Sequence, residues 1–205
     1  VDRIAAGYAE VILAGGTESM SWVPMTRWQE KPNPWLVERR PEVYLTMGLA
    51  AELLQQRYGI SRQEQDEFAL ASHRKAVQAQ EAGKFDDEIV PVKVTIHDLV
   101  EGRPRTRYAV VMRDEIPRPD TSLEVLSQLP PVFRSAGTVT AGNSSPLSDG
   151  AAVALVVSER RAHQLGLEPR LRLVSYAVAG VPPELMGIGP AVAVHGGQIV
   201  VRHGK

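Results

Sequence analysis

The sequence contains no cysteine. That excludes disulfides, thiolate-bound metals and covalent catalysis through a thiol of these residues. Neither sign of charge is in surplus. The 23 Lys and Arg meet 24 Asp and Glu, for a net charge of −1, so nothing argues for a nucleic-acid partner or an anionic membrane surface. No apolar run approaches the ~20 residues that a membrane-spanning helix needs. The opening VDRIAAGYAEVILAGG has no basic start before its apolar stretch, so it does not read as a secretory signal. Internal repeats and low-complexity tracts are missing too. These absences describe a soluble intracellular protein.

What is present is an ordinary globular composition. Of 205 residues, 43% are hydrophobic and 23% charged, enough for one large domain or a domain with an inserted subdomain. The first residue is Val, and the chain opens inside an apparent amphipathic helix (Val1, Ile4, Ala5, Ala9), so it reads as a fragment or a processed product. EVILAGG then predicts a buried strand from Val11 to Ala14, stopped by Gly15 and Gly16. Ser21 to Pro41, rich in Trp and Pro, fits no period and reads as an irregular loop. A helix is expected over Tyr44–Tyr58, with Leu45, Leu49, Leu53 and Leu54 on one side and Gly59 as its C-cap. Ser61 and Glu64 have capping-box spacing for a second helix running to about Ala82, and the pair predicts a helical hairpin.

Further strands are expected at Glu88–Val94, with Pro91 marking an edge, at Ala151–Val157 (buried) and at Leu171–Ala179. Thr95 to Asp120 reads as a charged, irregular flap or meander. Thr121 to Leu126 predicts a short helix, as does Ser158 to Leu165, capped by Ser158 and ended by Gly166. The pattern is α/β at both ends with a loop-rich middle.

Residue chemistry alone yields no catalytic machine. The five histidines (His73, His97, His163, His195 and His203) have no metal-ligand spacing, and His73 and His163 read as solvated surface residues. LAGG after a strand lacks a phosphate fingerprint and reads as a turn that lets two backbones pass closely. There is no G-x-S-x-G elbow, so Ser144, Ser145 and Ser148 read as turn hydroxyls that bond nearby backbone N–H groups. Asp86-Asp87 and Asp114-Glu115 read as solvated charge.

Four stretches together resemble one family. They are AEVILAGGTESMS, MGLAAELLQQRYGISRQEQDEFALASHRKAVQAQEAGKFDDEIVPV, IPRPDTSLEVLSQLPPVFRSAGTVTAGNSSPLSDGAA and LVSYAVAGVPPELMGIGP. Their motifs, order and spacing are similar to those of thiolases, from about Val1 to Pro190. The resemblance implies an incomplete thiolase-like α/β fold. Residues 1–18 and 139–190 would belong to the N-terminal core domain, 19–138 to an inserted loop-rich α+β domain, and 191–205 to a divergent tail whose Gly196, Gly197 and Gly204 break the expected helix.

It also implies acyl transfer between coenzyme A and 3-ketoacyl-CoA. Coenzyme A or acyl-CoA would be the substrate, with no permanently bound cofactor, and the complete protein would be a homo-oligomer (dimer or tetramer). The location would be cytoplasmic in a bacterium, or mitochondrial or peroxisomal in a eukaryote. The family's nucleophilic Cys, its Asn-Glu-Ala-Phe segment and its Gly-His-Pro histidine are expected outside these residues. His195 lacks that context and receives no catalytic role, so no residue here is assigned one. The chain is expected to be inactive alone, or to act only by pairing, with strand edges left uncovered.

By motif position, Arg118 corresponds to the family's arginine near the adenine and phosphates of coenzyme A. Ala141, Ser144 and Ser145 correspond to the loop along the pantetheine arm. Leu126, Phe133 and Leu147 match apolar groove positions, and Met47 and Met186 match methionines near the acyl end. Thr46 stands where some short-chain members carry His, which favours a broader 3-ketoacyl-CoA thiolase.

Overall fold

The computed structural model describes residues 1–23, 31–196 and 201–203. In chain order its elements are α1 (Asp2–Ala5), β1 (Val11–Ser19), α2 (Pro34–Arg39), α3 (Met47–Tyr58), α4 (Arg62–Glu81), β2 (Val92–Val100), β3 (Arg103–Val111), α5 (Leu123–Ser127), β4 (Asp149–Val157), α6 (Glu159–Leu165), β5 (Leu171–Leu173), α7 (Gly189–Gly196) and β6 (Val201–His203). Short 3-10 helices cover Pro41–Tyr44 and Pro183–Ile188. The chain divides into two units, one of Val1–Gly59 with Ser145–Lys205 and one of Ile60–Ser144. The boundary falls between α3 and α4 and within the Asn-Ser-Ser loop. Among the described residues no helix is long and apolar enough to cross a membrane.

The first unit is organised by an antiparallel pair. β1 and β4 align from Val11 opposite Val157 to Ser19 opposite Asp149. The strand does not stop at Gly15-Gly16, as the sequence reading has it; it runs through them to Ser19. The reason is close approach. A Cβ on Gly15 would lie 2.7 Å from the Ala152 carbonyl oxygen, while one on Gly16 would meet nothing within 4 Å. Gly15 thus lets β4 pass. β4 is a strand as expected, but it is not buried. Leu13 and Val153 are each 73% exposed, because among the described residues the sheet has two strands.

At its far end, Ser21 N–H donates to Asp149 Oδ1 at 2.9 Å and the Ser21 hydroxyl bonds Asp149 Oδ2. α3 ends as read: Gly59 takes the left-handed cap with φ 67°, a conformation that favours glycine. Leu45, Leu49, Leu53 and Leu54 are half-buried. The Pro183–Ile188 turn packs on α3, so closely that a Cβ on Gly187 would lie 2.5 Å from Leu54 Cδ1.

Several expected extents change. The opening helix is one turn, not a run to Ala9. The supposed irregular loop contains α2, where Asn33 Oδ1 accepts from Trp35 N–H at 2.9 Å; residues 24–30 of that loop lie outside the described residues. β5 is three residues of the predicted Leu171–Ala179 strand. The tail carries α7, which includes Gly196, so that glycine does not prevent the helix; Gly197 and Gly204 lie outside the described residues.

In the second unit, α4 has the predicted capping box. Glu64 N–H donates to Ser61 Oγ at 3.2 Å and Ser61 N–H donates to Glu64 Oε2 at 2.7 Å. With no Gly or Pro inside it, the helix continues for 20 residues. The strand expected at Glu88–Val94 begins instead at Val92, and the presumed flap is an antiparallel β2–β3 hairpin. Its turn is Glu101-Gly102, with φ of 50° and 76°, the two-residue geometry matching strand twist. β-Branched residues (Val92, Val94, Thr95, Ile96, Val100, Thr106) drive the pairing despite the charges between them. α5 starts at Ser122, whose Oγ accepts from Val125 N–H at 3.3 Å.

Candidate functional site

The segment Pro130–Ser144 reaches its shape through one helix. Val132 N–H donates to Val139 O at 3.0 Å, and Pro131 bridges Thr140, closing a loop whose tip is the Arg134–Gly137 turn, with Phe133 just before it. Below it, α4 presents Arg62, Gln65 and Asp66. Arg62 Nε donates to Asp66 Oδ2 at 2.8 Å, while its Nη2 donates to Leu126 O at 2.6 Å and Leu129 O at 3.0 Å. The guanidinium therefore sits at the C-terminal end of α5, where a cation complements the helix dipole. Gln65 Nε2 donates to Thr138 Oγ1 at 3.0 Å.

Asn143 completes the clamp. Its Nδ2 donates to Asp66 Oδ1 at 3.0 Å and to Thr138 O at 3.1 Å, and its Oδ1 accepts from Thr140 N–H at 2.7 Å. Gly142 N–H donates to Thr140 Oγ1 at 3.2 Å. Asp66 is 3% exposed and Thr140 fully buried, whereas the Arg62 side chain keeps 24% of its surface, so the carboxylate is buried and its cation reaches the surface; a buried carboxylate persists only when paired in this way. The backbone lies tight on its apolar floor. A Cβ on Gly142 would come within 2.5 Å of Leu129 Cδ1 and 2.6 Å of Leu126 Cδ2.

Against this frame the predicted residues fall into two groups. In the second unit, Ala141 is exposed above the clamp, Phe133 is exposed, and Leu126 is 2% exposed in the floor. Ser144 Oγ is buried with no hydrogen-bond partner among the described residues. Arg118 is exposed in the Pro-Arg-Pro segment after β3. In the first unit, Ser145 is exposed and Leu147 is 69% exposed just before β4. Met47 opens α3 and Met186 lies in the 3-10 turn packed on α3; both are partly exposed.

The turn-hydroxyl reading of the serines is corrected. Ser144 bonds nothing among the described residues, and Ser148 Oγ donates to Pro146 O at 3.4 Å instead of accepting from an N–H. His73 is corrected as well: half-buried, it accepts from Arg118 N–H through Nδ1 at 3.2 Å. Sequence reasoning missed the clamp residues Arg62, Asp66 and Asn143. The i, i+4 spacing of Arg62 and Asp66 was the one available signal.

Comparison with known proteins fits this arrangement. The dimeric peroxisomal thiolase of Saccharomyces cerevisiae has the same fold over 95% of this chain and 48% of its own, with a TM-score of 0.82 and 36% identity. Human mitochondrial 3-ketoacyl-CoA thiolase in complex with CoA matches 95% of this chain and 49% of its own, with a TM-score of 0.74 and 37% identity. The fold is thus the α/β thiolase fold. In sequence, the 3-ketoacyl-CoA thiolase of Bacillus subtilis (strain 168) is 47% identical over 194 residues, 94% of this chain and 50% of that protein. The family model described as "Thiolase, N-terminal domain" matches residues 1–160. The chain belongs to the thiolase family, and it spans about half the length of the curated relatives it matches.

Proposed function

We propose that this chain carries the coenzyme-facing part of a thiolase-type acyltransferase, which moves acyl groups between coenzyme A and 3-ketoacyl-CoA. Arg118 meets the phosphates beside the adenine. Ala141, Ser144 and Ser145 follow the pantetheine arm, with Phe133 and Leu147 as its apolar surround and Leu126, 2% exposed, supporting the loop from beneath. Met47 and Met186 stand near the acyl end. The observation that carries this reading is the loop Thr138–Ser144. Its polar side chains are spent inward on Asp66 and on its own backbone, while the Ser144 hydroxyl is buried without a partner among the described residues. A buried hydroxyl left unbonded is costly; rotation about the Ser144 Cα–Cβ bond to another staggered position would turn it outward, where an amide of the pantetheine arm would supply the missing bond. A guanidinium suits a phosphate in geometry and charge, and Arg118 has no partner for its own among the described residues.

The chain has no thiol, so a cysteine that holds the acyl group is contributed by other residues than these. The 205 residues alone leave acetoacetyl-CoA intact, and cleavage above a heat-killed control refutes that statement. Calorimetric titration tests the groove. Coenzyme A should release heat at or below millimolar concentration, and Arg118→Ala should weaken it about tenfold, the factor of one charge-assisted hydrogen bond, without changing the affinity for pantetheine. No heat at millimolar coenzyme A sinks the reading. The exposed apolar residues of the β1–β4 pair support assembly with further polypeptide, as a dimer or tetramer in the complete protein; a cooperative, monomeric melt of the chain speaks against it. The compartment follows the host: the cytoplasm of a bacterium, or a mitochondrion or peroxisome.

A further inference from the structure

The helix that clamps the Thr138–Ser144 loop also holds the segment bearing Arg118. Residues Met112 to Thr121 leave β3 and belong to no regular element. Among the described residues, their hydrogen bonds run to two side chains of α4. Gln80 Nε2 donates to Asp114 O at 3.0 Å and its Oε1 accepts from Arg113 Nη2 at 3.4 Å; His73 Nδ1 accepts from Arg118 N–H at 3.2 Å. Asp66, His73 and Gln80 recur every seven residues, so they share one face of the helix, drifting only about 20° per interval.

The bond to Arg118 has no substitute nearby. Pro117 and Pro119 have no N–H, so Arg118 supplies the one backbone donor of that tripeptide. The same prolines fix their own φ and restrict the residues before them, leaving a stiff strut whose direction depends on where it is tied. For Nδ1 to accept, it must carry no proton, with the hydrogen of the neutral ring on Nε2.

We infer that His73 is a positioning residue for coenzyme binding: by accepting from the Arg118 N–H it ties the Pro-Arg-Pro strut to α4 and so aims the guanidinium at the phosphates. This rests on the assignment of Arg118 to those phosphates. His73 touches no substrate itself. Its effect is therefore confined to the nucleotide end of the coenzyme and passes wholly through Arg118.

The test uses the full chain. His73→Asn keeps an acceptor near the place of Nδ1, whereas His73→Leu removes it at similar size. Amide exchange at Arg118 should be slow in the wild type and in His73→Asn, and about fivefold or more faster in His73→Leu, the factor of one ordinary hydrogen bond. Coenzyme A affinity should fall about fivefold in His73→Leu and return in His73→Asn, with pantetheine affinity constant throughout. On an Arg118→Ala background, His73→Leu should add nothing. A wild-type Arg118 amide that exchanges as fast as a free peptide overturns the inference whether or not any variant folds. If Arg118→Ala weakens coenzyme A and His73→Leu does not, the inference falls and the reading of Arg118 stands. If Arg118→Ala has no effect, both fall.

Discussion

Asn143→Ala is the substitution that most directly probes how the loop is held. The side chain makes three hydrogen bonds, to Asp66 Oδ1, Thr138 O and Thr140 N–H, at 2.7 to 3.1 Å. Removing it strands two groups that water does not reach. The Thr140 N–H belongs to a residue with no exposed surface, and Asp66, 3% exposed, loses one of two side-chain donors. An unsatisfied buried group costs about 1–3 kcal/mol. The Thr140 amide bears the full penalty and Asp66 a partial one, since Arg62 still bonds it. The expected loss is about 2–4 kcal/mol of local stability. Native-state hydrogen exchange reads this at the Thr140 amide, which should exchange roughly thirty- to several-hundredfold faster. Asn143→Asp should be at least as damaging. It retains an acceptor for Thr140 but replaces the donor with a carboxylate facing Asp66. A change below about 0.5 kcal/mol at Thr140, the scatter of ordinary surface substitutions, refutes the clamp.

Ser144→Ala should behave in the opposite way: with no bond to lose, it should leave stability unchanged or slightly raised while lowering coenzyme A affinity severalfold in calorimetry. Gly15→Val places a Cβ 2.7 Å from the Ala152 carbonyl, and backbone cannot step aside as a side-chain tip can; the cost should be about 1–3 kcal/mol in denaturant unfolding, with Gly16→Ala, which meets nothing, as the tolerated control. The Ser21 hydroxyl first, and the Ser21 N–H second, hold the Asp149 carboxyl below the usual carboxylate range. A folded-state pKa that is depressed stabilises above the unfolded value of about 3.9 and is lost as pH falls through the folded one. Ser21→Ala should therefore raise the Asp149 titration seen by NMR and flatten the acid limb of stability; an unmoved titration contradicts this.

What could be read in advance was local. The box at Ser61 and Glu64, the cap at Gly59 and the cap at Ser158 are encoded within a few residues, and each forms as read. β1 and β4 were legible as strands from their apolar runs. Their length was not, because Gly15 looks like a terminator until Ala152 is seen passing over it. The β2–β3 hairpin was hidden by its charges: Arg103, Arg105 and Arg107 alternate along an exposed strand, where no apolar face marks the period. The clamp was beyond sequence reasoning for a different reason. Asp66 and Asn143 are 77 residues apart, and neither has a neighbour in sequence that names the other. His73 failed in the same way, since a histidine on a charged helix looks solvated until the distant strut that it receives is placed.

The small, polar character of Thr138–Ser144 now divides by direction. Thr138, Thr140 and Asn143 turn inward, and their donors and acceptors are consumed by α4 and by the loop's own backbone. Gly142 is required by the floor, since Leu126 and Leu129 leave no room for a side chain. Such residues fix where the loop runs; they are not available to a ligand, and a serine or threonine held this way has no free hydroxyl to act as a nucleophile. Arg118 and Ser144 are different, because their polar side-chain groups find no partner among the described residues. Both stand on backbone that α4 fixes, Arg118 through His73 and Ser144 directly after Asn143. Holding and offering are thus assigned to different side chains. On the proposed coenzyme contacts, substitution of Arg118 or Ser144 should change affinity at little cost in stability, whereas substitution of Asp66 or Asn143 should lose both together.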